Sequence, residues 1–203
     1  MKIKKILLLA AALPLLVSCT KKPLYYNSTA PDIIAFGDSL TYGQGVTQEY
    51  SYPSVLAKLT GANVVNLGVS GNTAGQSLQR LYLIGRNKPK MVLIEFGGND
   101  FMQQRPKEET QAALEEIIDY VHGLHAMAVI VDTGGNFEMS PYTKIMKKLA
   151  KDKQALFVPG IMDGIFNDRS LKSDIVHPNE KGYEIVAQKV FKSIYPYLNK
   201  PAK

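Results

Sequence analysis

Five short apolar runs recur along this chain, and stretches with helical spacing separate them. The runs are residues 32–36 (DIIAF), 63–68 (NVVNLG), 91–97 (MVLIEFG), 128–133 (AVIVDT) and 155–160 (ALFVPG). Each is shorter than an ordinary helix, and glycine or proline marks several of their borders. Residues 53–61, 72–85, 106–125, 142–152 and a last stretch from Asn179 onward read as helices. In 106–125 the apolar residues Leu114, Ile117, Ile118, Val121 and Leu124 fall on one helical face. Strands that are apolar on both faces and alternate with helices predict an α/β fold, a five-stranded parallel sheet covered on both sides.

Open parallel sheets bind ligands beyond the carboxyl ends of their strands. The polar residues expected there form one list. Gly37-Asp38-Ser39-Leu40 follows the first run, Gly68-Val69-Ser70-Gly71-Asn72 the second, and Gly97-Gly98-Asn99-Asp100 the third. Asp174-Ile175-Val176-His177-Pro178 follows the fifth on a longer loop. Each segment alone is consistent with turn chemistry. Together they bring to one edge what acyl transfer requires. A serine hydroxyl needs a base to take its proton, and His177 is the candidate base. An imidazole needs its tautomer fixed, and Asp174, three residues earlier, can reach it. The backbone N–H groups of Ser39 and Gly71 and the side-chain amide of Asn99 are candidate donors to an oxyanion.

With these residues in hand, the chain resembles the GDSL-type serine hydrolases of the SGNH family. The resemblance rests on FGDSLT, NLGVSGNT, FGGND and DIVHPN, in that order, from residue 32 nearly to the C-terminus. It implies a three-layer α/β/α sandwich with a five-stranded parallel sheet, the flavodoxin-like SGNH hydrolase fold. It implies Ser39 as nucleophile, Asp174 and His177 as the rest of the triad, and Ser39, Gly71 and Asn99 as the oxyanion hole. The forms GGND and SGNT are most similar to the thioesterase, arylesterase and lysophospholipase branch. The expected activity is serine-dependent carboxylic ester hydrolysis on an acyl ester or lipid, through an acyl-serine intermediate. No metal or organic cofactor is implied, and a monomer is expected. Two alternatives stand beside it: a carbohydrate O-acetylesterase of the same family, and a non-catalytic lipoprotein that binds lipid or glycan.

Single residues admit other readings. Ser39 could be a turn serine or a helix N-cap. Ser70 in GVSGN lies one residue from the G-x-S-x-G pattern, but position 72 is Asn. His122 and His125 could contact a metal, yet two ligands are too few. Asp174 and His177 could also be metal ligands, without an evident third partner. The loop 133–142 and the stretch 43–52 are the expected walls of an acyl pocket.

The N-terminus is set apart from the fold. Lys2, Lys4 and Lys5 precede the apolar stretch 6–18, the pattern of a secretory signal. That stretch is too short for a membrane span of roughly 20 residues. Leu16-Val17-Ser18-Cys19 resembles the lipobox of bacterial lipoproteins, which implies cleavage before Cys19 and its acylation. Cys19 is the single cysteine of the chain, so no internal disulfide can form. The expected division is a signal peptide at 1–18, a lipidated tether at 19–31 and a hydrolase domain at 32–203. The expected location is the bacterial cell envelope, exported and lipid-anchored, at the outer membrane where two membranes exist. The formal charge of +6 falls by three when the signal lysines are removed. No cluster of basic and aromatic residues remains, which gives nucleic-acid binding no support.

Overall fold

The computed structural model describes residues 22–135 and 139–198. The expected signal peptide and Cys19 lie outside the described residues. Five strands form one parallel sheet: β1 (Asp32–Gly37), β2 (Val64–Asn66), β3 (Pro89–Glu95), β4 (Met127–Val131) and β5 (Leu156–Val158), in the order β2-β1-β3-β4-β5. Chain order reverses at β1, whose two neighbours are β2 and β3. Such a switch point opens a crevice at the carboxyl edge.

Side chains alternate between the two faces of a strand, and the core divides accordingly. Ile33, Ala35, Met91, Leu93, Val129 and Val131 face one side. There they pack with Tyr52 and Leu56 of α2 (Tyr52–Thr60) and with Tyr183, Val186 and Val190 of α8 (Glu180–Ile194). Ile34, Phe36, Val92, Ile94, Ala128 and Ile130 face the other side. They meet Leu114, Ile117 and Val121 of α6 (Lys107–Gly123) and Met146 and Leu149 of α7 (Ser140–Asp152). This is the expected three-layer sandwich. Four short helices complete it: α1 (Ser39–Tyr42), α3 (Ala74–Ser77), α4 (Tyr82–Gly85) and α5 (Gly98–Met102).

Two segments differ from the sequence expectation. The helix read over 72–85 is broken into α3, a 3-10 turn at Leu78–Arg80, and α4. The Ser77 hydroxyl donates to the Ala74 carbonyl at 2.7 Å, a local bond that competes with helix continuation. The second concerns residues 22–31, read as tether. The Leu24 N–H donates to the Gln154 carbonyl at 2.8 Å, and the Tyr25 ring packs on His122 and His125 at 5.8 and 5.1 Å. Gln154 precedes β5 and His125 precedes β4, so this segment docks at the amino edge of the sheet.

Candidate active site

Ser39 is set by the end of β1. A Cβ on Gly37 would lie 2.0 Å from Thr41 Oγ1 and 2.7 Å from the Glu95 carbonyl, so only glycine lets the chain turn between β1 and β3 there. Asp38 then caps α1, its Oδ1 accepting from the Leu40 N–H at 3.0 Å. Ser39 is the first residue of that helix, where backbone N–H groups have no intrahelical acceptor.

His177 arrives on a loop pinched by the antiparallel bridge Lys172–Pro178 and a 2.9 Å bond from the Ser173 N–H to the His177 carbonyl. Asn179 caps α8 directly after it. Within the loop, Asp174 Oδ1 accepts from the N–H groups of Val176 and His177, each at 2.7 Å. Asp174 Oδ2 lies 2.8 Å from His177 Nδ1, and His177 Nε2 lies 2.9 Å from Ser39 Oγ. Burial alone would raise the Asp174 pKa. The hydrogen bonds from the His177 backbone, the His177 ring and Val176 outweigh it and hold the group down at about 2. An ionised Asp174 makes Nδ1 the donor, which leaves Nε2 to accept from the serine hydroxyl.

The other two blocks close on Ser39 through backbone contact. A Cβ on Gly68 would meet the backbone N of Tyr42 at 2.1 Å, so the loop after β2 lies directly on α1. Gly71 adopts φ +81°, and a Cβ there would touch nothing. Its glycine is required by the backbone conformation rather than by crowding. Asn99 is buried at the start of α5. Its Nδ2 donates to Asp38 Oδ2 at 3.1 Å and to the Asn72 carbonyl at 3.0 Å.

Sequence reasoning missed the residues that hold these loops together. Arg80 donates from Nε to Asn72 Oδ1 at 2.9 Å, from Nη1 to the Leu67 carbonyl and from Nη2 to the Gly37 carbonyl at 2.8 Å. Asp100 accepts from the Ala74 N–H at 3.0 Å and the Thr110 hydroxyl at 2.9 Å. Beneath Ser39, Glu95 is fully buried and accepts from the Asp38 N–H, the Thr41 hydroxyl and the Thr133 hydroxyl. Burial and the Glu95 charge raise Asp38 well above the usual carboxylate range. The signal was a lone acid inside an otherwise apolar strand.

A cavity of about 410 Å³ opens beside Ser39, lined chiefly by Leu40, Phe101, Met102, Met162, Phe166 and Val176. Thr133, Gly135 and Met139 form part of its wall, as expected of the loop 133–142. The stretch 43–52 contributes none of the lining. Its Gln44 carbonyl accepts from the Tyr183 hydroxyl at 3.0 Å, which turns it toward α8. The segment 162–167 takes its place.

The competing residues lie elsewhere. The Ser70 hydroxyl donates to Gln44 Oε1 at 3.1 Å. His122, half-buried, and His125, exposed, both contact the Tyr25 ring. No group of three potential metal ligands occurs among the described residues.

Residues 35–185 match the GDSL-like Lipase/Acylhydrolase family. "Thioesterase 1/protease 1/lysophospholipase L1" of Escherichia coli K12 is 27% identical over 186 residues, which cover 87% of this chain and 89% of that protein. The "Arylesterase" of Vibrio mimicus is 26% identical over 85% of this chain and 92% of its own. The crystal structure of the psychrotrophic esterase EstA from Pseudoalteromonas sp. superposes with a TM-score of 0.75 at 26% identity, covering 84% of this chain and 100% of that one. The chain is thus a member of the GDSL-like lipase/acylhydrolase family of ester-bond hydrolases.

Proposed function

We propose that this protein cleaves carboxylic esters through an acyl-serine intermediate. Ser39 Oγ attacks the carbonyl carbon while its proton passes to His177 Nε2, and Asp174 stabilises the imidazolium. The negative oxygen accepts from the N–H groups of Ser39 and Gly71 and from the Asn99 amide. Collapse breaks the bond to the leaving oxygen or sulfur, which takes the proton from His177. Water, activated by the same imidazole, then releases the acid and restores Ser39. The observation that carries this reading is the 2.9 Å approach of His177 Nε2 to Ser39 Oγ. One chain supplies every group, which supports a monomer. In the test, Ser39→Ala abolishes hydrolysis of p-nitrophenyl acyl esters with an unchanged thermal transition, and a fluorophosphonate labels Ser39. Turnover retained in the variant, or label mapped to Ser70, overturns the assignment.

The apolar wall beside Ser39 favours a fatty or aromatic acyl group over the acetyl group of an O-acetylesterase. The names of the thioesterase/lysophospholipase and arylesterase relatives agree with that preference. The Leu16–Cys19 lipobox supports export and a lipid anchor, and Thr20 after the cysteine supports the outer membrane where two membranes exist. Thr20 and Lys21 alone separate Cys19 from Lys22, and three residue steps span at most about 10 Å. With residues 24 and 25 docked at the amino edge, an acylated Cys19 keeps that edge toward the bilayer. The mouth at the carboxyl edge then faces away, toward substrate arriving from the aqueous side. Cys19→Ser releases the protein from membranes under this reading; unchanged retention removes it.

A further inference from the structure

We propose that Glu95 is a positioning residue for the ester hydrolysis: it carries the single negative charge of a buried carboxyl pair, keeps Asp38 a neutral acid, and so leaves the Asn99 amide free to turn to the oxyanion. This rests on the acyl-transfer reading above.

Asp38 and Glu95 lie together beneath Ser39, 3% and 0% exposed, with the Asp38 N–H donating to Glu95 Oε2 at 3.4 Å. Two carboxylates sharing a water-excluded site cannot both ionise. The surrounding donors decide which one does. Glu95 receives three: the Asp38 N–H at 3.4 Å, the Thr41 hydroxyl at 3.0 Å and the Thr133 hydroxyl at 3.3 Å. Asp38 receives two, the Leu40 N–H and the Asn99 amide. Among the described residues, no cation binds either oxygen pair. Arg80 spends its donors on Gly37, Leu67 and Asn72, and His177 bonds Ser39 and Asp174. The remaining titratable neighbours, Tyr52 of α2 and Tyr183 of α8, are neutral phenols, pushed up by burial and by the Glu95 charge. The proton therefore resides on Asp38 and the charge on Glu95.

The consequence reaches the reaction through Asn99. Both N–H bonds of its amide are committed in the resting site, to Asp38 Oδ2 and to the Asn72 carbonyl. An oxyanion must take one of them. An ionised Asp38 would hold that N–H in a charge-assisted bond, about twice as strong as a neutral one, and would repel the negative oxygen. A neutral Asp38 releases it.

Glu95→Gln keeps the shape and removes the neighbouring charge; burial still raises Asp38, but without the Glu95 repulsion Asp38 ionises at lower pH than in the wild type. With a p-nitrophenyl acyl ester at pH 8, kcat falls at least about tenfold while KM changes less than about twofold. The deficit relative to wild type narrows as pH is lowered and Asp38 regains its proton. An unchanged kcat, or a deficit constant with pH, overturns the proposal. Should the variant not fold, the wild-type protein decides: carbon-13 NMR finds the Asp38 carboxyl protonated at pH 8, and an ionised Asp38 there overturns it equally. An inactive Ser39→Ala beside an indifferent Glu95→Gln removes this inference alone; an active Ser39→Ala removes the acyl-serine reading.

Discussion

The Arg80 guanidinium lies over the Phe36 ring, 4.3 Å from its centroid. From there it donates to carbonyls of two loops, at Gly37 and Leu67. One loop carries Ser39 and the other Gly71, so a single side chain fixes the spacing of these two residues. Burial lowers its pKa to about 10, and the group stays cationic at neutral pH. A lysine ammonium is a compact point charge and does not reproduce the planar fork that reaches Asn72, Leu67 and Gly37 from one side chain. Each acceptor left unpaired costs about 1–3 kcal/mol, and in a chain of this size 1 kcal/mol moves Tm by roughly 2–4 °C. Arg80→Lys is expected to lower Tm by several degrees and kcat about tenfold. Calorimetry and steady-state kinetics check both; an unaltered kcat would show that the two loops keep their spacing without it.

The pH profile follows from Asp174. Its folded pKa is depressed, so its stabilising contribution is complete above the unfolded value of about 3.9 and disappears only as pH falls through about 2. Activity lost between pH 7 and 4 therefore does not report protonation of Asp174. The acid limb of kcat/KM is expected to follow one proton. Asp174→Asn removes the partner that fixes the tautomer and is expected to lower kcat by roughly 10²–10⁴. An acid limb requiring two protons would bring a second carboxyl into the chemistry.

Two glycines near the serine should respond differently to alanine. At Gly71 the φ of +81° strains any other residue, but a Cβ meets open space. At Gly68 a Cβ runs into the Tyr42 backbone at 2.1 Å. Gly71→Ala is expected to fold with Tm lowered by a few degrees and to lose kcat as its N–H shifts. Gly68→Ala must part the loop from α1, with a much larger loss of Tm. Equal melting points for the two variants would show that the close approach at Gly68 yields without cost.

The sheet was legible because β1, β3 and β4 are buried on both faces and so read as unbroken apolar runs. β2 and β5 are edge strands, three residues each against the six read from sequence for both. At β2, Asn66 Oδ1 takes the Gly68 N–H at 2.9 Å, which ends the strand early. The meeting of Ser39, His177 and Asp174 was legible because Ser39 follows β1 and the other two share one short loop ahead of the Asn179 cap. Helix α5 was missed because its five residues, which begin at the second of two glycines, carry no periodicity. The docking of residues 22–31 was missed because a polar, proline-containing stretch gives no period, and its anchors, the Leu24 N–H on Gln154, Tyr25 on two histidines and Tyr26 on Tyr197, lie on distant elements. Glu95 and Arg80 were visible as lone charges among apolar residues, but what buries them comes from distant elements.

The apolar cavity makes a quantitative demand on the substrate. Phe101, Met162 and Phe166 line it, and Ser39 opens into it. Each methylene transferred from water to such a wall is worth about 0.8 kcal/mol, close to a fourfold gain in kcat/KM per carbon. A series of p-nitrophenyl esters from acetyl upward is expected to rise at about that slope and then break when the cavity is full. Phe166→Trp reduces the space and should move the break to a shorter chain without altering the initial slope. Wild-type activity highest on the acetyl ester, with no gain per carbon, would mean that the acyl group does not enter this cavity. The O-acetylesterase reading would then replace the fatty-acyl one, with the triad geometry unaffected, because Ser39, His177 and Asp174 are held by contacts that do not involve Phe166.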